Sequence, residues 1–566
     1  MNRSNDLTTM PAFSSVFYEI TALLLVAAAV GALALKLRQP LIVAFIAVGI
    51  AVGPAGLGWV ASRDQVDLLA ALGIALLLFV VGLKLDLHLI RSLGPVALAT
   101  GLGQVAFTSI IGYLIALALG LDHIPAVYVA VALTFSSTII IVKLLSDKRE
   151  IDALHGRIAV GFLIVQDVVV IVAMIVLSAF GVATGEAASR LWVDIGLVVV
   201  KGVGMLAGLG LVMRYLLPPL LRGLARSPEL LVLFAVAWAV ALASLGDYLG
   251  LSKEVGAFLA GVSIASTPYR EAISTRLVTL RDFLLLFFFV SLGAQLDLRL
   301  LGDQLWPSVV LSLFVLIGNP LIVMVIMGAM GYRKRTGFLA GLTVAQISEF
   351  SLVFAALGLS LGHIDPDTLG LITLVGLVTI GLSTYLILYS HPIYDWIAPW
   401  LGVFERHVPH REQAFENAAR PDTPVDVILF GLGRFGDGIA RALRSQGVSV
   451  LGVDFDPQAS AAWRREGLAA VYGDAEDPEF TATLPLARAR WVVCAIPQRE
   501  ANLALQHALR AHAYGGKVAL TAHSADDARL FEAAGADLVL RPFAAAAERT
   551  ADTLLASLRP AAQRDG

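Results

Sequence analysis

The sequence predicts a polytopic α-helical membrane protein with about thirteen transmembrane helices, followed by a separate α/β domain. Hydrophobic residues make up 58% of the 566 residues, charged residues make up 15%, and the mean hydropathy is +0.80. From about Val16 to Ser390, apolar segments long enough to span a bilayer follow one another, separated by short polar loops. After His391 the apolar runs shrink to the length of β-strands, and Arg, Asp and Glu become frequent.

Domain boundaries are predicted from this change in composition. A membrane domain covers residues 1–403, a polar linker 404–424, an α/β domain 425–558 and a tail 559–566. The first apolar helix, from Phe17 to Leu37, is too long for the apolar region of a signal peptide. The net charge of −3 gives no indication of a nucleic-acid partner. The single cysteine, Cys494, excludes an intrachain disulfide and a cysteine-based metal cluster. Its place in a predicted strand indicates a buried apolar side chain.

Thirteen membrane spans are predicted in the first domain. In chain order they are 16–37, 41–60, 67–86, 93–119, 125–146, 157–181, 191–217, 228–248, 252–267, 276–297, 305–330, 336–361 and 367–390. Basic residues such as Lys148, Arg226 and Arg335 concentrate in the loops of one side, whereas the other side holds few. Because positively charged loops stay in the cytoplasm, the N-terminus is expected outside a bacterial-type inner membrane and the α/β domain inside.

An internal repeat relates the two halves of the membrane domain. The segment Ala44–Ala51 in the second span resembles Ala257–Ala265 in the ninth, and the segment around Gly82 resembles the one around Gly293. The offset is 211 to 213 residues in both comparisons, so seven helices separate the copies. An odd number of crossings inverts the second copy. Inverted repeats with discontinuous helices are typical of secondary transporters.

Polar interruptions at equivalent repeat positions predict two broken helices. The fifth span carries four hydroxyl residues at mid-membrane, namely Thr134, Ser136, Ser137 and Thr138. About 212 residues later, the twelfth span carries Gln346, Ser348 and Glu349. Unwound backbone at this depth is buried in protein or lines a cavity, and half-helix ends there can bind a cation. The alternative is that these small polar residues only pack two helices together.

An acid lies in the middle of the sixth span. The run Gly161–Val172 is apolar except for Gln166 and Asp167 at its centre. A carboxylate in hydrocarbon is costly, and such residues mark ion or proton pathways by default. The alternative is a structural acid that is paired with a neighbouring helix. The repeat offset matches Asp167 to Thr379 in the thirteenth span, which predicts a site with one titratable ligand and one hydroxyl group.

These motifs resemble those of Kef-type potassium/proton antiporters in the second monovalent cation:proton antiporter family. The motifs are Leu133-Thr-Phe-Ser-Ser-Thr138, Gln166-Asp167, Gly256-Ala-Phe-Leu-Ala-Gly261, Gln346-Ile-Ser-Glu-Phe350 and a carboxyl-terminal dinucleotide fold. The resemblance implies a transporter rather than an enzyme, with thirteen helices and two crossed broken helices in its core. It also implies a homodimer, whose core moves against a dimerisation domain to give alternating access. A monovalent cation and a proton would then compete for one carboxylate, without a transition metal.

The neighbour of Asp167 bears on which ion is exchanged, and the residue at position 319 bears on the exchange stoichiometry. Sodium-selective relatives often carry two adjacent acids where this chain has Gln166 and Asp167, so the resemblance implies potassium, with sodium as the alternative. Burial disfavours the charged form of a carboxyl group, which lets protons and cations compete for it. Many relatives have a lysine where this chain has Asn319, which leaves the stoichiometry open. We interpret Lys201 as a snorkelling or structurally paired lysine and Glu254 as a solvated acid.

A dinucleotide-binding pattern opens the second domain. The predicted strands are 425–430, 448–453, 469–472, 491–496, 518–521 and 538–540. The loop after the first strand holds Gly431, Gly433, Arg434, Phe435 and Gly436, and the second strand leads into Asp454. In a loop of this kind the glycines and the helix N-terminus bind phosphates, and the acid binds ribose hydroxyl groups. The alternation of strands and helices predicts a six-stranded Rossmann fold.

This domain resembles the RCK/TrkA-N nucleotide-binding regulatory domains of potassium channels and transporters. Gly473 and Asp474 match the position that contacts adenosine in those domains. An adenine nucleotide, NAD(H), AMP or ATP, is therefore expected as a regulatory ligand, and glutathione gating is left open. The expected partners are membrane lipid, a second copy of the chain through both domains, and an ancillary regulatory subunit.

Two other classes of protein are weaker alternatives. A membrane-anchored oxidoreductase would need a catalytic His, Asp and Lys cluster, and none follows the dinucleotide pattern. A nucleotide-gated potassium channel would need a filter of backbone carbonyl groups such as Thr-Val-Gly-Tyr-Gly, which the sequence lacks.

Overall fold

The structure is a computed structural model. It describes residues 15–53, 56–59, 63–84, 95–148, 150–151, 153–181, 201, 204–205, 207–225, 227–249, 252–295, 301–405, 425–481 and 483–558. The chain divides into two compact units. The first is Met1–Ile151, Ile158–Ala329 and Lys334–Phe404, and the second is Asp152–Arg157, Met330–Arg333 and Glu405–Gly566.

The first unit is built from α-helices. In chain order they are α1 (Val16–Lys36), α2 (Leu41–Val52), α3 (Arg63–Lys84), α4 (Pro95–Ala118), α5 (His123–Ala132), α6 (Thr138–Asp147), α7 (Leu154–Gly181), α8 (Leu217–Leu224), α9 (Pro228–Leu249), α10 (Lys253–Ala265), α11 (Arg270–Ala294), α12 (Leu301–Leu313), α13 (Asn319–Ala329), α14 (Lys334–Leu342), α15 (Glu349–Ser360), α16 (Pro366–Leu388) and α17 (Ser390–Ile397). Two π-helical segments, Val212–Leu216 and Phe314–Gly318, precede α8 and α13, and a 3-10 turn, Leu401–Phe404, follows α17.

Within the described residues, eight helical segments are long and apolar enough to cross a membrane. The helices α2, α5 and α15 are apolar but shorter. The predicted polytopic helical domain is therefore confirmed, while the count of thirteen spans stays a prediction. The first ten residues of the predicted span 191–217, nearly all of the predicted linker 404–424 and the tail 559–566 lie outside the described residues.

Two helices are interrupted where the sequence predicts. The chain leaves the helical conformation between α5 and α6, over residues 133–137, and again between α14 and α15, over residues 343–348. Each second half-helix starts with a serine cap. Ser137 Oγ accepts the backbone N–H of Ile140 at 3.3 Å, and Ser348 Oγ accepts that of Phe350 at 3.1 Å. Because a serine side chain satisfies N–H groups that lack a helical partner, these residues favour a new helix start at each break.

The predicted sequence repeat corresponds to two helix crossings that match each other. A Cβ atom at Gly49 in α2 would overlap the carbonyl oxygen of Val290 in α11, and Gly293 in α11 packs equally closely against α2. In the counterpart crossing, Gly82 in α3 and Gly261 in α10 each face a backbone carbonyl oxygen of the other helix in the same way. Small residues of this kind let transmembrane helices approach closely. The two copies of the repeat thus contact each other in two places through the same kind of glycine crossing.

The second unit contains a parallel six-stranded sheet. Its strands are β1 (Val427–Phe430), β2 (Val450–Asp454), β3 (Ala470–Tyr472), β4 (Trp491–Cys494), β5 (Lys517–Thr521) and β6 (Leu538–Leu540), in the order β3-β2-β1-β4-β5-β6. Its helices are α18 (Arg434–Ser445), α19 (Pro457–Arg465), α20 (Pro478–Thr481), α21 (Arg499–Ala511), α22 (Ala525–Ala533) and α23 (Pro542–Leu558).

The glycine-rich loop follows the carboxyl end of β1, where the strand order of the parallel sheet reverses. Phe430, at the end of β1, is paired with Val453 of β2 on one side and with Cys494 of β4 on the other. The chain builds β2 and β3 on one side of β1, and β4, β5 and β6 on the other side. Ligands bind at such a switch point. The predicted Rossmann fold is confirmed.

Candidate cation site and nucleotide fold

Asp167 lies near the middle of α7, beside the start of α6. Its Oδ2 accepts a hydrogen bond of 3.0 Å from Thr138 Oγ1, and Thr138 is the first residue of α6. Asp167 as a whole residue is half-buried. Because the N-terminus of a helix carries partial positive charge, this position stabilises a negative charge at Asp167. The structure thus brings together the acid and one hydroxyl group of the predicted cluster.

The four hydroxyl groups of the first break have different partners. Thr134 Oγ1 donates to a backbone carbonyl of its own helix at 2.7 Å, and Ser137 Oγ serves as the cap of α6. Thr138 donates to Asp167. Ser136 Oγ is buried and has no hydrogen-bond partner among the described residues. Thr134 and Ser137 therefore fix the backbone of the break, whereas Ser136 and Thr138 leave oxygen atoms for a ligand.

Gln166 contacts the first break directly through its amide oxygen and indirectly, by way of Gln104, through its amide nitrogen. Its Oε1 accepts the backbone N–H of Ser136 at 3.0 Å, and its Nε2 donates to Gln104 Oε1 at 2.7 Å. Gln104 Nε2 donates in turn to the carbonyl oxygen of Thr134 at 3.2 Å. The sequence motifs indicate Gln166 but not Gln104. The available signal was an amide within an apolar span.

Asn319, the first residue of α13, contacts the backbone of the first break. Its Nδ2 donates to the carbonyl oxygen of Leu133 at 3.1 Å, and its Oδ1 accepts the hydroxyl group of Thr108 at 2.9 Å. Thr108 and Asn319 are separated by 211 residues, so they are counterparts in the repeat. A neutral amide thus holds the backbone at this position.

The three polar residues that the sequence predicts at the second break, Gln346, Ser348 and Glu349, are at most 1% exposed. Gln346 Oε1 accepts the hydroxyl group of Ser383 at 2.8 Å, and Glu349 Oε2 accepts that of Ser348 at 3.3 Å. The other polar atoms of the two longer side chains, Gln346 Nε2 and Glu349 Oε1, have no hydrogen-bond partner among the described residues.

Thr379 has a different role from the one that the repeat offset predicts. Its Oγ1 accepts the backbone N–H of Ile347 at 3.3 Å. Gln166 accepts the backbone N–H of Ser136 in the same way in the first break, and Ser136 precedes Ile347 by 211 residues. Thr379 is therefore the hydrogen-bonding counterpart of Gln166, not of Asp167. The offset matches residues by their number in the chain alone. The structure shows which side chain binds the equivalent backbone N–H group in each break, and these side chains are Gln166 and Thr379.

The glycine-rich loop of the second unit connects β1 to α18. Gly431 has φ +89°, a left-handed conformation that favours glycine. A Cβ atom at Gly436 would overlap the carbonyl oxygen of Gly431, so the first turn of α18 packs directly on the loop. Gly433 caps α18 and has open space beside it, and Arg434 and Phe435 are exposed at the helix start. The loop and helix N-terminus therefore fit a phosphate group.

The other nucleotide residues lie at the ends of β2 and β3. Asp454 Oδ2 accepts the backbone N–H of Leu432 at 2.6 Å, and Oδ1 accepts that of Asp456 at 2.8 Å. The acid thus fixes the glycine-rich loop through Leu432. The sequence motif does not indicate this contact. Gly473 leaves room for the ring of Phe480, and Asp474 Oδ1 accepts the backbone N–H of Glu476 at 2.9 Å.

Comparison with known families identifies both units. The model described as "Sodium/hydrogen exchanger, transmembrane" matches residues 21–388, and the model described as "TrkA-N domain" matches residues 427–542. The chain belongs to the sodium/hydrogen exchanger family.

Relatives of this exchanger are cation/proton antiporters. A proposed K(+) efflux antiporter, KefB, of Alkalimonas amylolytica is 30% identical over 84% of this chain and 71% of its own length. A proposed cation/proton antiporter, YbaL, of Escherichia coli is 27% identical over 84% of this chain and 85% of its own length. The chain is therefore a multi-pass cation/proton antiporter, which is a secondary transporter and not an enzyme, with a TrkA-N domain.

Solved structures that resemble the exchanger include one for each unit. The sodium proton antiporter MjNhaP1 of Methanocaldococcus jannaschii is 16% identical, with a TM-score of 0.46, over 70% of this chain and 98% of its own. The TrkA-N domain of the inner membrane protein YbaL of Escherichia coli is 22% identical, with a TM-score of 0.22, over 25% of this chain and 100% of its own.

Two charged residues of the exchanger stay outside the candidate site. Lys201 is helical and half-buried. Glu254 is half-buried in the first turn of α10, and the neighbouring Lys253 has its Nζ 4.0 Å from Asp247. Within the described residues, no group of three His, Cys, Asp or Glu side chains could hold a metal ion.

Proposed function

We propose that this antiporter exchanges potassium for protons and that Asp167 binds the two ions in turn. The observation that carries the proposal is the hydrogen bond of 3.0 Å between Asp167 and Thr138, at the start of a half-helix. A bound monovalent cation neutralises a carboxylate as a proton does. Because a charge is costly in hydrocarbon, either ion lets the site change its accessibility as a neutral unit.

Buried polar atoms without a partner support an ion or an ordered water between the breaks. Ser136 Oγ, Glu349 Oε1 and Gln346 Nε2 are such atoms among the described residues. Buried polar groups in native proteins nearly always have a partner, and exceptions point to a bound ion or water. The proposed cation and proton site comprises Gln166, Asp167, Thr134, Ser136, Ser137, Thr138, Gln346, Ser348 and Glu349.

Potassium is proposed because the acid has a neutral neighbour. Gln166 keeps an oxygen next to Asp167 without adding a second charge, which suits a larger and more weakly hydrated ion. The name K(+) efflux antiporter that is proposed for the relative in Alkalimonas amylolytica also favours potassium. Sodium is the second candidate, because the matching family model is described as a sodium/hydrogen exchanger. A nucleotide-gated potassium channel is the weakest candidate.

Nucleotide binding to the TrkA-N domain is proposed to regulate exchange. The phosphates would bind at Gly431, Gly433 and Gly436, beside Arg434 and Phe435 at the start of α18. The ribose would bind at Asp454, which would exchange a backbone contact for a ribose hydroxyl group, and the adenosine part would lie near Gly473 and Asp474. NAD(H), AMP and ATP all contain these groups, so a binding titration with each nucleotide is the direct comparison.

The cellular arrangement is proposed from the charge distribution. The N-terminus lies outside and the nucleotide-binding domain lies in the cytoplasm, because the loops that contain Lys148 and Arg335 are the basic ones. The boundaries 1–403, 404–424 and 425–558 are proposed for the membrane domain, the linker and the regulatory domain. A homodimer through both domains, bound lipid and an ancillary regulatory subunit complete the proposal.

The experiment uses purified protein in liposomes with a pH gradient. Dissipation of the gradient is followed after addition of potassium, sodium or choline chloride, for the wild type and for Asp167→Asn. Potassium should dissipate the gradient in the wild type and have no effect on Asp167→Asn. Asp122→Asn is the matched control, because Asp122 is exposed and makes no side-chain cap, and it should behave as the wild type.

The outcomes separate the site from the ion. Normal exchange by Asp167→Asn would show that the site is wrong. Dissipation by sodium alone would show that the ion is wrong while the site stands.

A further inference from the structure

Gln104 lies in α4, away from the acid in the sequence, and is 0% exposed. The geometry points to Gln104 as a positioning residue for cation binding, which acts by fixing the orientation of the Gln166 amide. The inference rests on the proposed function, because it concerns the cation that binds beside Asp167.

Gln166 and Gln104 form a chain of two hydrogen-bonded amide groups. Backbone groups at the two ends of this amide chain determine how both amides are oriented. The N–H of Ser136 can only donate, so the end of the Gln166 amide that faces it must be the oxygen. The nitrogen of Gln166 then faces Gln104, which must present its oxygen there. This leaves Gln104 Nε2 for the carbonyl oxygen of Thr134, a group that can only accept. Both ends of the chain therefore require the same orientation.

A second pair of residues supports this orientation independently. Gln104 Nε2 also donates to Thr108 Oγ1 at 3.1 Å, and Thr108 donates its own hydrogen to Asn319 Oδ1 at 2.9 Å. Asn319 can then use only its nitrogen for the carbonyl oxygen of Leu133. The two amide chains thus hold two consecutive carbonyl groups of the first break. Each donor that these contacts use meets an acceptor.

The orientation matters because Gln166 directly precedes Asp167. With Gln104 in place, the oxygen of Gln166 points to the first break, where Thr138 lies with Ser136 Oγ, which has no partner among the described residues. Without Gln104, the N–H of Ser136 alone would hold this orientation, and the amide of Gln166 would more readily turn its NH₂ group toward the break. That rotation would bring two N–H donors together at Ser136 and would remove an oxygen from the cation side.

A neutral amide of this kind affects the cation rather than the proton. Glutamine does not titrate, so Gln104 neither takes up nor releases a proton during exchange. Its removal should therefore weaken the binding of potassium and leave the maximal exchange rate near that of the wild type. A residue that only stabilises the fold would instead lower the amount of active protein, and so the maximal rate.

The test measures the KM for potassium and the maximal rate in proteoliposomes at one pH. Gln104→Met keeps a similar side-chain size and removes the hydrogen bonds, and it should raise the KM about tenfold with the maximal rate within about twofold, as loss of about 1.4 kcal/mol predicts. Thr373→Val is the matched control, because Thr373 is buried in α16 and its hydroxyl group donates to the backbone carbonyl of Leu369 in its own helix, and its KM should stay within about twofold of the wild type.

A double-mutant cycle decides whether Gln104 acts through Gln166. In a Gln166→Ala background, Gln104→Met should cause no further increase in KM. An unchanged KM in the single variant, a fall in maximal rate alone, or additive effects in the double variant would each overturn the inference. If Gln104→Met does not fold, Gln104→Ala is used in the same cycle, since it leaves room for water. Loss of exchange in Asp167→Asn tests the proposed function separately.

Discussion

Thr138 Oγ1 donates to Asp167 Oδ2 over 3.0 Å, and this bond joins the first residue of a half-helix to an acid in the middle of the next helix. The acid therefore lies where a negative charge is favoured by a hydroxyl donor and by the N-terminus of α6. These contacts favour the charged form of the carboxyl group, which is the form that binds a cation, and the oxygen of Thr138 lies beside it.

Thr138→Val should weaken potassium binding. The change removes the hydroxyl donor with little change in shape, and a hydrogen bond to a charged group contributes about 1.5–3 kcal/mol. The KM for potassium should therefore rise about tenfold or more in liposome exchange measurements. Thr373→Val is the control, because Thr373 lies outside the proposed site, is buried in α16 and bonds to its own helix. Equal KM values for the two variants would contradict the role of Thr138.

Gly261→Ala should destabilise the membrane unit. The added methyl group would overlap the carbonyl oxygen of Phe79, so α3 and α10 would have to separate. Overpacking of this kind costs about 1–3 kcal/mol. The thermal unfolding midpoint of the detergent-solubilised protein should fall. Gly208→Ala, at an exposed helical glycine with open space around it, should keep the wild-type midpoint or raise it. Equal midpoints would show that the crossing tolerates a side chain.

Gly436→Ala should abolish nucleotide binding without unfolding the exchanger. The methyl group would overlap the carbonyl oxygen of Gly431 and displace the phosphate-binding loop. Gly438→Ala, two residues further along α18, has open space and should bind as the wild type does. Calorimetric titration of the full-length protein with NADH, AMP and ATP measures the effect. Binding by Gly436→Ala with unchanged affinity would place the nucleotide elsewhere.

Cys494 should be unreactive in the folded protein. Its burial in β4 raises the pKa of the thiol from its ordinary value of 9.0 to about 12. The reactive thiolate is therefore rare in the native state at pH 8.5. Alkylation by iodoacetamide should be detected by mass spectrometry only after denaturation. Modification of the native full-length protein at a rate similar to that of the denatured chain would contradict the burial.

The same shift predicts a loss of stability at alkaline pH. The folded state favours the neutral thiol, so this contribution is fully present below about pH 9 and is lost as the pH rises toward 12. Between these values the free energy of unfolding should fall by up to about 1.4 kcal/mol per pH unit. Chemical denaturation of the wild type and of Cys494→Ala at pH 8 and pH 10 measures it. The alanine variant should lack this component of the decrease, and identical pH dependence in both proteins would contradict the prediction.

The sequence predicts the backbone of the site better than its side-chain contacts. Both helix breaks were predictable, because polar residues such as Ser137 and Ser348 are conspicuous in apolar spans and cap new helices. The contacts of Gln104 with Gln166 were not, because a single amide in an apolar helix has many accessible partners. Its actual partner is 62 residues away and is determined by how α4 and α7 pack.

In the second unit, too, the fold of the backbone was more predictable than the side-chain contacts. The strand order was predictable from the alternation of strands and helices around the glycine-rich loop. The sequence motif assigns Asp454 to the ribose, whereas its carboxylate also fixes the loop through the backbone N–H of Leu432. A backbone contact of this kind carries no signal in the residue types, since any residue other than proline offers the same N–H group.

Competition between potassium and protons at Asp167 is the central claim, and the pH dependence of the KM for potassium tests it most directly. If one carboxylate binds the two ions in turn, the KM should rise about tenfold for each pH unit of acidification below the range in which the group titrates. The maximal rate at saturating potassium should then stay constant. A KM that does not change with pH, while the maximal rate falls, would contradict a shared site.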